Sequence, residues 1–149
     1  MNLDFTVTDI NRIIFVDDLE YPNQKIDFNR PLNYHELIFT FSGHKIARFN
    51  GTELHDRTNS IRYLPQGPVS GYSVERLEPG PCIDIFFSTD RPISDGPFVL
   101  QFGQNSRFAT LFQTSSTVLD PNGLPEADAR VLQDIADRVA LEGQSPFLP

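Results

Sequence analysis

Few residues in this sequence could do acid–base, nucleophilic or metal chemistry, and their spacing argues against most of it. The histidines are His35, His44 and His55. No two of them stand at the H-x-H or H-x-x-x-H separation that gathers imidazoles around one metal ion. His35 and Glu36 are adjacent, but strand neighbours point to opposite faces. His44 and His55 suit exposed hairpin edges, while His35, at a strand entrance, is evenly balanced between an interior and a surface position. Cys82 is the single cysteine. It has no nearby histidine to activate it and opens an apolar strand, where a small buried hydrophobe is expected. Nucleophile-elbow, P-loop and dinucleotide-binding signatures are missing. Asp17-Asp18 falls in a polar turn and reads as a solvated pair. No catalytic residue, metal or cofactor is expected.

Charged residues inside strand patterns are more informative. Cys82, Asp84 and Phe86 share one face of a strand, and Ile83, Ile85 and Phe87 share the other. The second face is wholly apolar and belongs in dry core. Asp84 must then face water or a polar cavity, and Arg48 and Arg62 raise the same question. Exposure is the commoner reason for a charged strand residue. A few inward polar groups among aromatics are also how a pocket grips a small polar ligand.

The elements that would position these groups are mostly β. Leu37 to Phe41 is the strongest candidate for a buried central strand. Lys45 to Phe49, the Asn50-Gly51 pair and Thr52 to His55 spell a two-residue hairpin, because both central residues of a type I′ turn need positive φ. Ser60 to Leu64, Tyr72 to Leu77, Cys82 to Ser88 and Pro97 to Phe102 add further strands. Two earlier ones fall around residues 3–8 and 13–16, and a short one at 26–29. Segments of this length, at roughly ten-residue spacing, predict a sandwich or barrel. The character changes after residue 104. Phe108, Leu111 and Phe112 carry helical spacing, and Ala127, Val131, Ile135 and Val139 form an i+4 apolar row after Pro125. The expected organisation is a β unit over 1–104 and a two-helix extension over 105–149, one domain in 149 residues.

Composition narrows the partners. The formal charge is −8, with 12 basic residues against 20 acidic ones. Affinity for nucleic acid comes largely from basic groups that neutralise phosphates, so this segment is not expected to bind DNA by itself. No secretory signal and no membrane-length apolar run is present, which predicts a cytoplasmic protein.

Arg30-Pro31-Leu32, Tyr34-His35-Glu36-Leu37, Gly43, Asn50-Gly51, Leu64-Pro65-Gln66-Gly67, Tyr72 and Ile83 to Phe87 occur in an order that resembles the N-terminal sensor domain of AraC-type transcriptional regulators. The resemblance covers about residues 10 to 115, and more weakly 124 to 142. It implies a cupin-like double-stranded β-barrel (a jelly roll) followed by two C-terminal α-helices that dimerise. By position, the family's effector-contacting arginine falls on Arg30. Its aromatic residue after the P-x-G corner falls on Tyr72, and its inward pair on the penultimate long strand falls on Cys82 and Asp84. Ser70 stands where metal-binding cupins carry a histidine, which implies a metal-free barrel.

The expected function is therefore an effector-binding and dimerisation domain. A small molecule, with a sugar as one candidate, would meet Arg30, His35, Arg62, Tyr72, Cys82 and Asp84. Val131, Ile135 and Val139 would form the homodimer helix, or that helix would pack on its own barrel. DNA would be met only through a helix-turn-helix region beyond this chain. The competing readings are a small cupin enzyme and a standalone carbohydrate-binding barrel.

Overall fold

The computed structural model describes residues 5–17, 25–28, 31–103, 133 and 136–139. Nine strands are defined: β1 Val7–Asp17, β2 Lys25–Phe28, β3 His35–Thr40, β4 His44–Phe49, β5 Thr52–Arg57, β6 Ser60–Leu64, β7 Tyr72–Glu78, β8 Pro81–Thr89 and β9 Phe98–Gln101. All pair antiparallel, in two sheets ordered β1-β8-β3-β6-β9 and β2-β7-β4-β5. The expected mostly-β class holds. The two sheets face each other without closing, so the expected continuous barrel is replaced by an open sandwich.

Local chemistry explains the connections. Asn50 and Gly51 have φ of 47° and 83°, as the hairpin turn requires, and Phe49 pairs with Thr52 across it. Three connections, 41–43, 58–59 and 79–80, carry the chain from one sheet to the other. The strand registers put all three at the same end of the sandwich. Two of them touch: the Phe41 amide donates to the Pro81 carbonyl at 3.1 Å. Gly80 is required there, because a Cβ at that position would lie 2.1 Å from the Ser42 carbonyl oxygen.

The two predicted N-terminal strand segments are one strand. Register shifts between Val7 and Asp9 and between Ile10 and Arg12 absorb the polar stretch while β1 stays paired to β8. The first predicted helix lies outside the described residues. Of the second, Gln133 and residues 136–139 are described as helical.

Two apolar clusters form. The larger one lies on the outer face of the five-stranded sheet. Leu37, Phe39, Ile61, Tyr63, Ile83, Ile85 and Phe87 pack there with Phe5, Ile93, Leu100, Ala136 and Val139. The apolar face of β8 is thus in dry core, under the helix rather than between the sheets. Val139 is fully buried in this cluster, so the described part of the apolar helical row packs on the chain's own sheet. Val131 and Ile135 lie outside the described residues. Gln133 ties the helix to the entry of β1: its amide accepts from the Val7 N–H and donates to the Phe5 carbonyl. The smaller cluster, Ala47, Phe49, Leu54, Leu64, Tyr72 and Val74, lies between the sheets.

Candidate functional site

The inward face of the four-stranded sheet is graded from aromatic to charged. Its register stacks three rows two residues apart. Phe28, Tyr72 and Phe49 make the first, and Ile26, Val74, Ala47 and Leu54 the second. Arg76, Lys45 and Asp56 make the third, beside the three sheet-to-sheet connections. The facing rows of the other sheet are Arg12, Phe86, Glu36 and Leu64, then Ile14, Asp84, Ile38 and Arg62, then Cys82, Thr40 and Ser60. Each follows from strand alternation.

Between these rows lies a cavity of about 300 Å³. Its wall combines aliphatic and aromatic side chains from β1, β2, β3, β7 and β8 with six charged ones: Arg12, Glu36, Lys45, Arg62, Arg76 and Asp84. Glu36, Lys45 and Arg62 among them are buried, and charged side chains are rarely buried unless they are paired or used.

Arg62 is the hub. It is 1% exposed. Its Nε lies 3.3 Å from Asp56 Oδ2 and its Nη2 3.9 Å from Glu36 Oε1. Its guanidinium carbon sits 5.9 Å from the centre of the Tyr72 ring, within cation–π range. Burial acts against its charge, but Asp56 above all, then Tyr72, Glu36 and Asp84, outweigh it and raise its pKa. The Tyr72 hydroxyl donates to Glu36 Oε1 at 3.1 Å, and its ring stacks on Phe28 at 4.5 Å. Asp84 is pushed well above the usual carboxylate range by burial, then by the neighbouring Glu36 charge. It shares a side-chain hydrogen bond with Glu36. Asp56 is raised by burial, with Arg62 and Lys45 opposing. On the Arg62 and Asp84 side chains three atoms, Arg62 Nε, Arg62 Nη1 and Asp84 Oδ1, are buried without a hydrogen-bond partner, with Arg62 Nε ion-paired to Asp56.

The structure brings four of the sequence-predicted site residues together: Arg62, Tyr72, Cys82 and Asp84 all line the cavity. Arg30 lies outside the described residues. His35 does not line it. Its ring faces the apolar outer side of the sheet, because the inward position belongs to its neighbour Glu36. There Nδ1 accepts from the Gln66 N–H at 3.1 Å and meets the Tyr63 hydroxyl at 2.9 Å. Nε2 meets Thr89 Oγ1 at 3.1 Å. The ring is a structural pin, and burial lowers its pKa. Glu36, Lys45, Asp56 and Arg76 were not singled out from sequence. The available signal was alternation: Lys45 is in phase with Ala47 and Phe49, and Arg76 with Val74 and Tyr72.

Other candidates lie away from the cavity. Ser70 is exposed and donates from both N and Oγ to Asn50 Oδ1, at 2.7 and 3.1 Å, which ties the P-x-G corner to the hairpin turn. Arg48 pairs with Glu75 on the outer face at 3.0 Å. His44 Nε2 and His55 Nδ1 meet at 3.0 Å on the hairpin edge. Among the described residues no group of three or more His, Cys, Asp or Glu is arranged to hold a metal ion, and no helix is long and apolar enough to cross a membrane.

Two antiparallel sheets packed face to face make a fold similar to that of solved AraC-like regulators. The likeness is to specific solved proteins. ToxT from Vibrio cholerae, bound to an unsaturated fatty acid, superposes with a TM-score of 0.59 at 8% identity, over 89% of this chain and 54% of that one. An apo ToxT variant from the same organism gives 0.64 at 10% identity, over 97% and 60%. The AraC-like transcriptional activator CuxR gives 0.50 at 10% identity, over 80% and 49%. The chain thus spans about half to three-fifths of the proteins it resembles. No protein-family model matches the chain, and no curated protein matches it in sequence.

Proposed function

We propose that this chain is the effector-sensing domain of an AraC-type transcription regulator in the cytoplasm. It takes a small molecule between its sheets without a metal, dimerises, and leaves DNA contact to a separate region. The observation that carries this reading is the cavity itself, where buried charge surrounds enough space for a small ligand in a fold shared with ligand-bound regulators. ToxT has been solved with an unsaturated fatty acid and with (E)-4-(8-methylnaphthalen-1-yl)but-3-enoic acid. A sensor needs only differential affinity for two states. Here β1 and β8 carry cavity residues on one face and core residues on the other, so a ligand that shifts these strands also shifts the ground under Val139.

A thermal-shift screen over organic acids, sugars and aromatic metabolites tests the reading, since a ligand of the native state alone raises Tm. The expected result is at least one hit that Tyr72→Ala removes. A hit unaffected by cavity substitutions, or no hit across the screen, overturns it. Sedimentation at micromolar concentration tests the dimer; a monomer throughout removes that part.

A further inference from the structure

We propose that His44 and His55 form a binding site for a late first-row divalent cation, Cu2+ foremost, on the outer face of the four-stranded sheet. His44 Nε2 and His55 Nδ1 are the ligands, Glu53 orients the second ring, and water completes the coordination. The site goes beyond the sensing function and does not use the cavity.

Three observations converge. The first is placement. β4 and β5 pair antiparallel across the Asn50-Gly51 turn, with His44 opposite Arg57 and Ile46 opposite His55. Lys45, Ala47, Leu54 and Asp56 turn inward, so by alternation His44, Glu53 and His55 turn outward. The two imidazoles are 11 residues apart in sequence, yet the ladder makes them diagonal neighbours, which linear motif spacing cannot reveal. β5 is an edge strand, and the His55 and Glu53 side chains are 37% and 53% exposed. A hydrated ion can therefore reach the pair.

The second is the spacing of the nitrogens, 3.0 Å. Two imidazole nitrogens, each about 2.0–2.1 Å from one ion, stand about 2.9 Å apart at a right angle and about 3.3 Å apart at the tetrahedral angle. The pair already has the separation of two neighbouring ligands, nearer the right angle. Tetragonal nitrogen sites suit Cu2+ and Ni2+, and Cu2+ binds most tightly in the divalent series.

The third is the carboxylate behind the ring. His55 Nε2 lies 2.9 Å from Glu53 Oε1. A carboxylate that accepts the far N–H fixes the tautomer and orientation of a metal-bound histidine. Here it keeps the hydrogen on Nε2 and turns the lone pair of Nδ1 toward His44. When the ion enters, His44 Nε2 releases the hydrogen that bridges the rings and Nδ1 takes one from water, so both imidazoles stay neutral. Arg57 and Glu78, on the strands either side of His44, act on it with opposite sign.

The test is calorimetric titration of tag-free protein with CuCl2, NiCl2, ZnCl2 and MgCl2, with electron paramagnetic resonance of the Cu2+ form. One Cu2+ per chain is expected, bound at least about tenfold more tightly than Zn2+, with two nitrogen ligands in the spectrum and no binding of Mg2+. His44→Gln and His55→Gln should each remove a nitrogen from the spectrum. Glu53→Gln should keep both nitrogens and weaken Cu2+ about tenfold or more. Circular dichroism and Tm establish that the variants fold; if one histidine variant does not, the other decides. Absence of Cu2+ binding at micromolar concentration overturns the site. Binding unchanged in the histidine variants also overturns it and marks an adventitious ion only. Tighter binding of Zn2+ than of Cu2+ overturns the choice of ion, and an unchanged affinity in Glu53→Gln removes Glu53 from its role. The cavity is tested separately by the thermal-shift screen.

Discussion

Tyr72 and Glu36 join the two sheets across the cavity: the phenol of β7 donates to the carboxylate of β3 at 3.1 Å. The same ring stacks on Phe28, meets Phe49 edge-on and lies beside the Arg62 guanidinium. Tyr72→Phe keeps the stacking and removes the donor. It should cost about 1.5 to 3 kcal/mol, the range for hydrogen bonds to charged groups. Urea denaturation measures this; a loss below about 0.5 kcal/mol would mean the hydroxyl adds nothing to stability.

Asp84 gives a pH-dependent signature. Its folded pKa is raised by burial and by Glu36, so the folded state holds a proton that the unfolded chain releases above 3.8. Folding stability therefore falls as pH rises through that region and on toward the folded pKa, by up to about 1.4 kcal/mol per pH unit. Asp84→Asn resembles the protonated form and has no proton to lose. The variant should gain on the wild type as pH rises from about 4 to about 7, as followed by Tm. A constant difference would show that Asp84 does not hold the proton.

His35 runs the other way. Burial lowers its pKa from 6.5, so its contribution is complete above the unfolded value. It is lost as pH falls from there through the folded pKa, where the unfolded chain takes up a proton that the folded ring resists. His35→Gln should be less stable than wild type near pH 7.5, and the gap should narrow toward about pH 5.5. Denaturation curves of both proteins at the two pH values report it, and a gap that widens on acidification contradicts the assignment.

Gly80 is a point of backbone contact. A Cβ there meets Ser42 backbone atoms at 2.1 and 2.5 Å, where no flexible side chain can yield. Gly80→Ala should lose about 2 kcal/mol or more. Gly71→Ala, with nothing within 4 Å of the added carbon, serves as control and should stay within about 0.5 kcal/mol.

Val139→Asp separates packing from association. Val139 is fully buried in the chain's own core, so an aspartate there leaves an unpaired charge in apolar surroundings. Tm should fall by the same amount at every protein concentration. A folded monomer of unchanged Tm would instead place this residue in a dimer contact.

Much of the architecture was legible in the sequence. The Asn50-Gly51 hairpin and the Ser60–Leu64 strand lie where turn chemistry and β-branched content put them. The dry face of β8 was legible because Ile83, Ile85 and Phe87 are uniformly apolar. The open edge between the sheets was not, because local pattern does not encode whether two sheets meet. For the site, alternation placed Asp84 opposite an apolar face and so at a cavity or in water. It also said that only one of His35 and Glu36 could turn inward, but choosing between them takes the three-dimensional register. Lys45, Asp56 and Arg76 escaped notice because a charged strand residue is ordinarily exposed. Only the partner sheet reveals that they are enclosed.

The five-stranded sheet is a wall one residue thick between a dry room and a wet one. In its three central strands the odd-numbered residues, His35, Leu37, Phe39, Ile61, Tyr63, Ile83, Ile85 and Phe87, all face the helix side. The even-numbered Glu36, Ile38, Thr40, Ser60, Arg62, Cys82, Asp84 and Phe86 face the interior. A saturation scan of this protein should therefore give a comb. Odd positions would register as lost protein, and even positions as altered ligand response, tooth by tooth along the same strand.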